Sequence, residues 1–213
     1  MEFKKIQLNG FKSFAEKTNF LIEDGLTGIV GPNGCGKSNI VESLRWVMGE
    51  TSAKSMRGSG MEDVIFSGTS NKASKNIAEV SISVANQNNE GPVQFRELDE
   101  VNVRRKIEKD KGSKFYINDK EVRARDAQMF FADLSTGAHS PSMISQGRIG
   151  ALVTAKPTDR RAILEEAAGI SGLHVRRHEA ELRLSAAENN LKRADELRRQ
   201  QEKQLANLQK QAE

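Results

Sequence analysis

The residues best suited to chemistry lie in one run, GPNGCGKSN, from Gly31 to Asn39. The run fits G-x-x-x-x-G-K-[S/T] in full, and its positions have physical tasks. Gly31, Gly34 and Gly36 let the backbone aim its N–H groups at one point, where they solvate phosphate oxygens. Lys37 supplies an ammonium for the β- and γ-phosphates, and Ser38 a hydroxyl for Mg²⁺. Pro32, Asn33, Cys35 and Asn39 complete the loop, so ATP with Mg²⁺ is the expected ligand. A bound triphosphate opposes a thiolate at Cys35, which reads as an inert small residue.

Holding a nucleotide and cutting it need different parts. A hydrolase of this kind also places an Asp after a buried strand and a group that orients water. The hydrophobic run that ends in Asp is MFFAD, residues 129–133. It is short, its spacing is helical, and Leu134 follows where an acid belongs, so Asp133 fits the role poorly. LSTG, residues 134–137, lacks the second glycine of the LSGG signature of ABC-type ATPases. The chain is equipped to hold the nucleotide, and the parts for cutting it are missing.

A loop of this kind needs a strand before it and a helix after it. LTGIV, residues 26–30, is expected to be a short buried strand. Residues 38–48 carry apolar side chains at 40, 41, 44, 47 and 48, which is helical spacing. Further strands are expected at 3–8, 18–22, 78–86, 100–108 and 114–118, with DKEV, 119–122, leading out of the last. Residues 109–113 read as a hairpin turn and 51–76 as a long, partly mobile loop. Residues 123–134 read as a helix, and Pro157 suits the first turn of another. Together these predict an α/β P-loop lobe with a mixed sheet, residues 1–172.

From about Leu173 the chain changes character, with no Gly or Pro after Gly172. Leu184, Ala187, Leu191 and Ala194 follow 3-4-3 spacing. Leu197 arrives one position early, and Leu205, Leu208 and Ala212 set a second phase. This is a coiled-coil seam with a shift in it, over residues 173–213. Such a helix needs a partner helix to cover the seam. His174 and His178 stand i, i+4 in this tail without an evident third ligand, and read as solvated.

The formal net charge is +4, which permits an acidic polymer as partner without requiring one. Basic residues gather at Arg104, Arg105, Lys106, Lys109, Lys111 and Lys114, with Arg123 and Arg125 beyond, interleaved with Glu108, Asp110, Asp119 and Glu121. Phosphate contact by double-stranded DNA and a plain solvated hairpin fit this pattern equally well. One cysteine excludes an intrachain disulfide, and no run approaches 18 apolar residues, so a cytoplasmic chain without a membrane segment is expected.

Four stretches together carry a resemblance: IQLNGFKSF, GPNGCGKSNIVESLRWVMGE, SAKSMRGSGMEDVIFSGT and ISQGRI at 144–149. The chain resembles the N-terminal half of the ATPase head of bacterial SMC proteins, the chromosome condensin family. The resemblance implies an ABC-type head lobe over residues 1–172 and the first part of an antiparallel coiled-coil arm. It implies that Gln146 is the Q-loop glutamine, which meets Mg²⁺ and the water region. It implies that Arg57 approaches the phosphates when two heads engage, and that Lys12 and Ser13 lie near the nucleotide. Val64, Ile65 and Phe66 then either wall the nucleotide or pack in the core, the latter being preferred.

The family completes its site with a C-terminal half that carries the signature, the Walker B Asp, the catalytic Glu and a switch His, and none of these stretches occurs here. Its partners are that half, a second head, a kleisin subunit at the coiled coil near the head, and double-stranded DNA, at the nucleoid. The chain is thus expected to be an N-terminal fragment or an incomplete gene product. Three readings follow: an ATPase half-site of an SMC-type chromosome organiser, a nucleotide-binding coiled-coil interaction module that does not hydrolyse ATP alone, and a RecN/RecF-like DNA-repair ATPase.

Overall fold

A computed structural model describes residues 1–86, 92–134, 143–144, 150, 153–168 and 171–212. Its strands are β1 (Glu2–Asn9), β2 (Thr18–Leu21), β3 (Ile77–Ala85), β4 (Glu100–Glu108), β5 (Gly112–Ile117) and β6 (Lys120–Val122). They form one sheet in the order β2-β1-β3-β4-β5-β6. Every pairing is antiparallel. The helices are α1 (Lys37–Val47), α2 (Ala124–Asp133), α3 (Pro157–Ala167) and α4 (Ser171–Ala212). The chain divides into two compact units, Met1–Gly172 and Leu173–Glu213.

The alternation along β3 and β4 explains the layer. Val80, Ile82 and Val84 point inward with Val101, Val103 and Ile107, all buried. Ile6 and Leu8 of β1 and Phe115 and Ile117 of β5 extend the same face. Ile40, Trp46 and Val47 of α1 and Ala127, Phe130 and Phe131 of α2 join them in one core. The opposite face is polar: Gln7 pairs with Ser81, Ser81 with Arg104, and Arg104 with Tyr116.

Arg105 departs from its expected place in the basic hairpin. Its position in the two-residue period of β4 is inward, and it is 3% exposed. The guanidinium lies between the Trp46 and Phe115 rings, 4.5 and 4.6 Å from their centroids. It donates to the carbonyls of Trp46 and Glu50, both at 2.7 Å, and to Ser113 Oγ at 2.7 Å. Burial pushes its pKa down to about 10, partly offset by Glu50, so it stays charged at neutral pH. A cation set on the Trp46 carbonyl in the last turn of α1, and on the Glu50 carbonyl three residues past the helix, opposes the negative end of its dipole.

The segment 51–76 is not the open loop its composition suggests. Two 3₁₀ turns, Lys54–Met56 and Met61–Val64, fold it onto the core. Met56, Val64, Ile65 and Phe66 are buried, as the core-packing preference required. The backbone N–H of Phe66 donates to the Gly10 carbonyl at 2.8 Å. Gly10 has φ +63°, and a Cβ there would stand 2.2 Å from the Ile77 carbonyl oxygen, so glycine is required. The last three residues of DKEV form the short strand β6, where only an exit from β5 was expected.

The expected strand at 26–30 is absent. Leu26 is fully exposed and Val30 is 93% exposed. A buried strand needs neighbours to take its N–H and C=O groups. The sheet ends at β2 and β6, and no strand among the described residues pairs with this run. Asp133 is the last residue of α2 rather than the end of a strand, so the placement a Walker B acid requires is lacking.

In α4, 42 residues form one continuous helix. At ~1.5 Å per residue it spans about 63 Å. Leu184, Leu191, Leu197, Leu205 and Leu208 are all exposed. His174 and His178 both fall within α4. Among the described residues no three His, Cys, Asp or Glu gather as for a metal ion, and no helix is long and apolar enough to cross a membrane.

Arg105→Ala is expected to lower the unfolding free energy by about 2–4 kcal/mol, because it removes charge-assisted bonds to the Trp46 and Glu50 carbonyls and leaves a cavity between two rings. Arg105→Lys is expected to recover little, since an ammonium lacks the planar fork that stacks between two rings while reaching three spread acceptors. Urea titration of the three chains checks this, and unchanged midpoints would remove Arg105 from its structural role.

Candidate phosphate-binding site

α1 starts without a cap. Its N-cap residue is Gly36 at φ 98° and ψ 8°, no side chain bonds to the first turn, and that turn holds no acid. The first N–H groups of a helix have no intrahelical partner and carry its positive dipole end. An anion satisfies both, which makes this end a candidate phosphate cradle. A Cβ at Gly36 would come within 2.6 Å of Ser13 Oγ, so the approach of the two loops demands glycine. A Cβ at Gly34 would meet nothing within 4 Å, and its side of the loop is open.

Lys37 curls back over the loop. Its Nζ donates to the carbonyls of Gly31 and Pro32 at 2.5 and 2.7 Å, and lies 3.7 Å from Cys35 Sγ. The ammonium is thus held at the mouth of the cradle by the loop itself. Ser38 is exposed one position further on. It lines a cleft of about 350 Å³ with Val41, Glu42, Arg45, Arg57 and Ile144. Gln146 lies outside the described residues. Asn33, Pro32 and Cys35 are exposed in the loop.

Lys12, Ser13, Asn39 and Arg57 come together, and the residue that gathers them is Glu42. Asn39 Nδ2 donates to Ser13 Oγ at 2.9 Å, and Arg57 Nη2 donates to Asn39 Oδ1 at 3.0 Å. Arg57 Nε pairs with Glu42 Oε1, and Lys12 Nζ pairs with Glu42 Oε2. Lys12 Nζ also donates to the Met56 carbonyl at 2.5 Å. Three separate segments are stitched at one face of α1. Glu42 is absent from the residues expected at the site, although a signal for it existed. It stands i+4 from Ser38 and i+3 from Asn39, on the helix face that those residues share.

Lys12 and Arg57 both adopt left-handed backbone, at φ 46° and 55°. Non-glycine residues hold that conformation only where neighbours fix it. Lys12 is fixed by its N–H, which donates to the Val64 carbonyl at 2.7 Å. The turn after Arg57 is fixed by Asp63, whose Oδ2 accepts from Ser59 N, Ser59 Oγ and Gly60 N at 2.6, 2.9 and 3.0 Å.

The basic cluster on the hairpin is largely matched. Arg104 pairs with Glu79 at 3.4 Å and Asp119 at 3.1 Å and covers the Tyr116 ring. Lys111 pairs with Glu108 at 2.7 Å, and Lys114 with Glu121 at 3.0 Å. Lys106 joins Arg104 on the polar face, while Arg105 is turned inward. Lys109, Arg123 and Arg125 are exposed.

Comparison with known proteins sets this geometry in context. The family model of the RecF/RecN/SMC N terminal domain matches residues 2–149. The chain is 53% identical over 212 residues to the chromosome partition protein Smc of Rhodopseudomonas palustris, covering 100% of this chain and 18% of that one. It is 56% identical over 197 residues to the Smc of Cereibacter sphaeroides, covering 92% and 17%. The chain therefore spans less than a fifth of these relatives. Among solved structures, an Smc head domain with an extended coiled coil, from Pyrococcus furiosus and bound to the C-terminal domain of ScpA, aligns with TM-score 0.73 and 32% identity, covering 92% of this chain and 49% of that one. An SMC ATPase studied for ATP-driven dimerization and DNA-stimulated activation aligns with TM-score 0.67 and 32% identity, covering 78% and 99%.

The Asp63 carboxyl is held below its ordinary value of 3.8 by the Gly60 N–H, then by the hydroxyl and N–H of Ser59. A depressed folded-state pKa gives stability that is complete above the unfolded value and lost as pH falls through the folded one. Exchange protection of the Ser59 and Gly60 amides is therefore expected to be full above pH 3.8 and to fall progressively below it. Asp63→Asn is expected to remove the same protection at neutral pH. Amide exchange read by NMR checks both, and protection factors independent of pH would break the link.

Proposed function

The chain belongs to the RecF/RecN/SMC N-terminal domain family, and we propose that it binds ATP with Mg²⁺ as the N-terminal half-site of an SMC head. The uncapped N-terminus of α1, with Lys37 poised over a glycine loop, carries this reading. In that role ATP drives engagement of two heads, hydrolysis releases them, and the assembly serves chromosome partition.

The proposed roles follow from position. The N–H groups of residues 33–38 and Lys37 grip the β- and γ-phosphates. The exposed hydroxyl of Ser38 and the amide of Gln146 suit Mg²⁺, which would supply positive charge to the β- and γ-phosphates when bound. Gly34 and Gly36 keep the loop free of side chains that would fill the cradle. Lys12, Ser13 and Asn39 hold the loop against its neighbours. In hydrolysis, water oxygen attacks the γ-phosphorus in line, the bond to the β-bridging oxygen breaks, and ADP and phosphate leave. Lys37 stabilises the charge carried by the γ-oxygens, Gln146 orients the water, and Arg57 assists from its loop.

These residues alone are proposed to bind without turning over. The acid that ends a buried strand is missing among the described residues, and the run 26–30 lies unpaired and exposed. A C-terminal half supplies both, by laying a strand beside 26–30 and contributing signature, Walker B and catalytic Glu. This favours the second reading, a nucleotide-binding coiled-coil module without hydrolysis of its own, as the description of the isolated chain. The further partners proposed are a second head, a partner helix along the seam of α4, a kleisin near its start, and double-stranded DNA on the polar sheet face, in the cytoplasm at the nucleoid. A RecN/RecF-like repair ATPase is the remaining alternative, and the extent of identity to Smc proteins weighs against it.

Calorimetry with MgATP on the chain and on Lys37→Ala is the direct test. Lys37→Ala is expected to weaken binding at least about tenfold, the loss of one charge-assisted contact. Phosphate release by the wild-type chain is expected to equal that of Lys37→Ala, and to rise once a C-terminal half is added. Equal affinity of the two chains would remove the nucleotide site. Turnover by the chain alone, lost in Lys37→Ala, would establish a complete catalytic site on these residues.

A further inference from the structure

We infer that Glu42 is a positioning residue that parks Arg57, and that the phosphates of a bound nucleotide take Arg57 from it. The inference rests on the nucleotide reading above and adds a competing anion to it. Glu42 lies on α1 beside the phosphate cradle, and its side chain is 11% exposed. Both of its oxygens are engaged, one by Lys12 and one by Arg57. A carboxylate this desolvated needs its cations, and a phosphate needs the same cations.

The two cations are not held alike. Lys12 has a second anchor on the Met56 carbonyl, and its side chain is 14% exposed. Its backbone is tied to Val64 as well. Arg57 is 59% exposed, and its other contact is Asn39 Oδ1, in the first turn of α1. Arg57 is therefore the member that can leave, and it already reaches to within 3.0 Å of a residue of the phosphate loop. Lys12 remains as the counter-charge that holds the Glu42 carboxylate in place. The exchange replaces one carboxylate oxygen by a more highly charged phosphate, so bound nucleotide draws Arg57 and the 53–58 turn toward the cradle.

Glu42→Gln preserves shape and removes the competing charge. MgATP is expected to bind Glu42→Gln about two- to fivefold more tightly than wild type, the range for releasing one partly exposed ion pair. The gain is expected to vanish in Glu42→Gln/Arg57→Ala compared with Arg57→Ala. A residue with a purely structural task would give a loss and no dependence on Arg57. If Glu42→Gln fails to fold because Lys12 loses its counter-charge, Lys12→Met/Glu42→Gln removes both charges and is compared with Lys12→Met, with the same gain expected. Equal or weaker affinity in the folded Glu42 variants, with wild-type binding still dependent on Lys37, would overturn the inference alone. Binding that ignores Lys37 would overturn the nucleotide reading, and the inference with it.

Discussion

The placement of one helix governs this lobe, and the guanidinium of Arg105 fixes it. Arg105 rises from β4 between two aromatic rings and grips the Trp46 carbonyl in the last turn of α1 and the Glu50 carbonyl just past it. With that end closed against the sheet, the other end has one place to point. Glu42 sits midway along the same helix and draws in the 12–13 and 56–57 segments. The N-terminal turn, left uncapped, faces the glycine loop. A single rigid element thus carries a structural cation at one end, an ionic junction at its centre and an open row of donors at its start. Ordering a site on a helix in this way fixes relative positions that a loop could not hold.

The legibility of the sequence tracked how local the deciding physics was. The alternation in β3 and β4 is a property of nine consecutive residues, and both strands formed within a residue of expectation. The glycine loop is equally local, since its glycines and Lys37 lie within one turn of chain. Arg105 was legible in principle. It occupies an inward position of a two-residue period, and counting that period separates it from Arg104 and Lys106. Reading charge without phase placed it on the surface instead.

Other features depended on distant residues. LTGIV has the composition of a buried strand, yet a strand exists only where neighbours accept its hydrogen bonds, and this lobe offers none among the described residues. The segment 51–76 is polar enough to read as open loop. It is folded by contacts that composition does not reveal, among them the close passage of Gly10 past Ile77 and the bond from Phe66 to Gly10. The junction around Glu42 belongs to the same class. Lys12, Asn39 and Arg57 lie far apart in the chain, and the family resemblance pointed to the cations without their counter-ion. Only the folded backbone joins them.

The open start of α1 has a thermodynamic consequence. Its unpaired N–H groups and the Lys37 ammonium, held on loop carbonyls, form a reserve that the fold does not draw on by itself. Any anion that docks there binds the folded chain and has no comparable site on the unfolded one. Above its dissociation constant, each tenfold rise in its concentration then adds about 1.4 kcal/mol to the unfolding free energy. The melting temperature of this lobe is for that reason a logarithmic gauge of its ligand, and a comparison between two preparations has meaning only at matched phosphate and nucleotide.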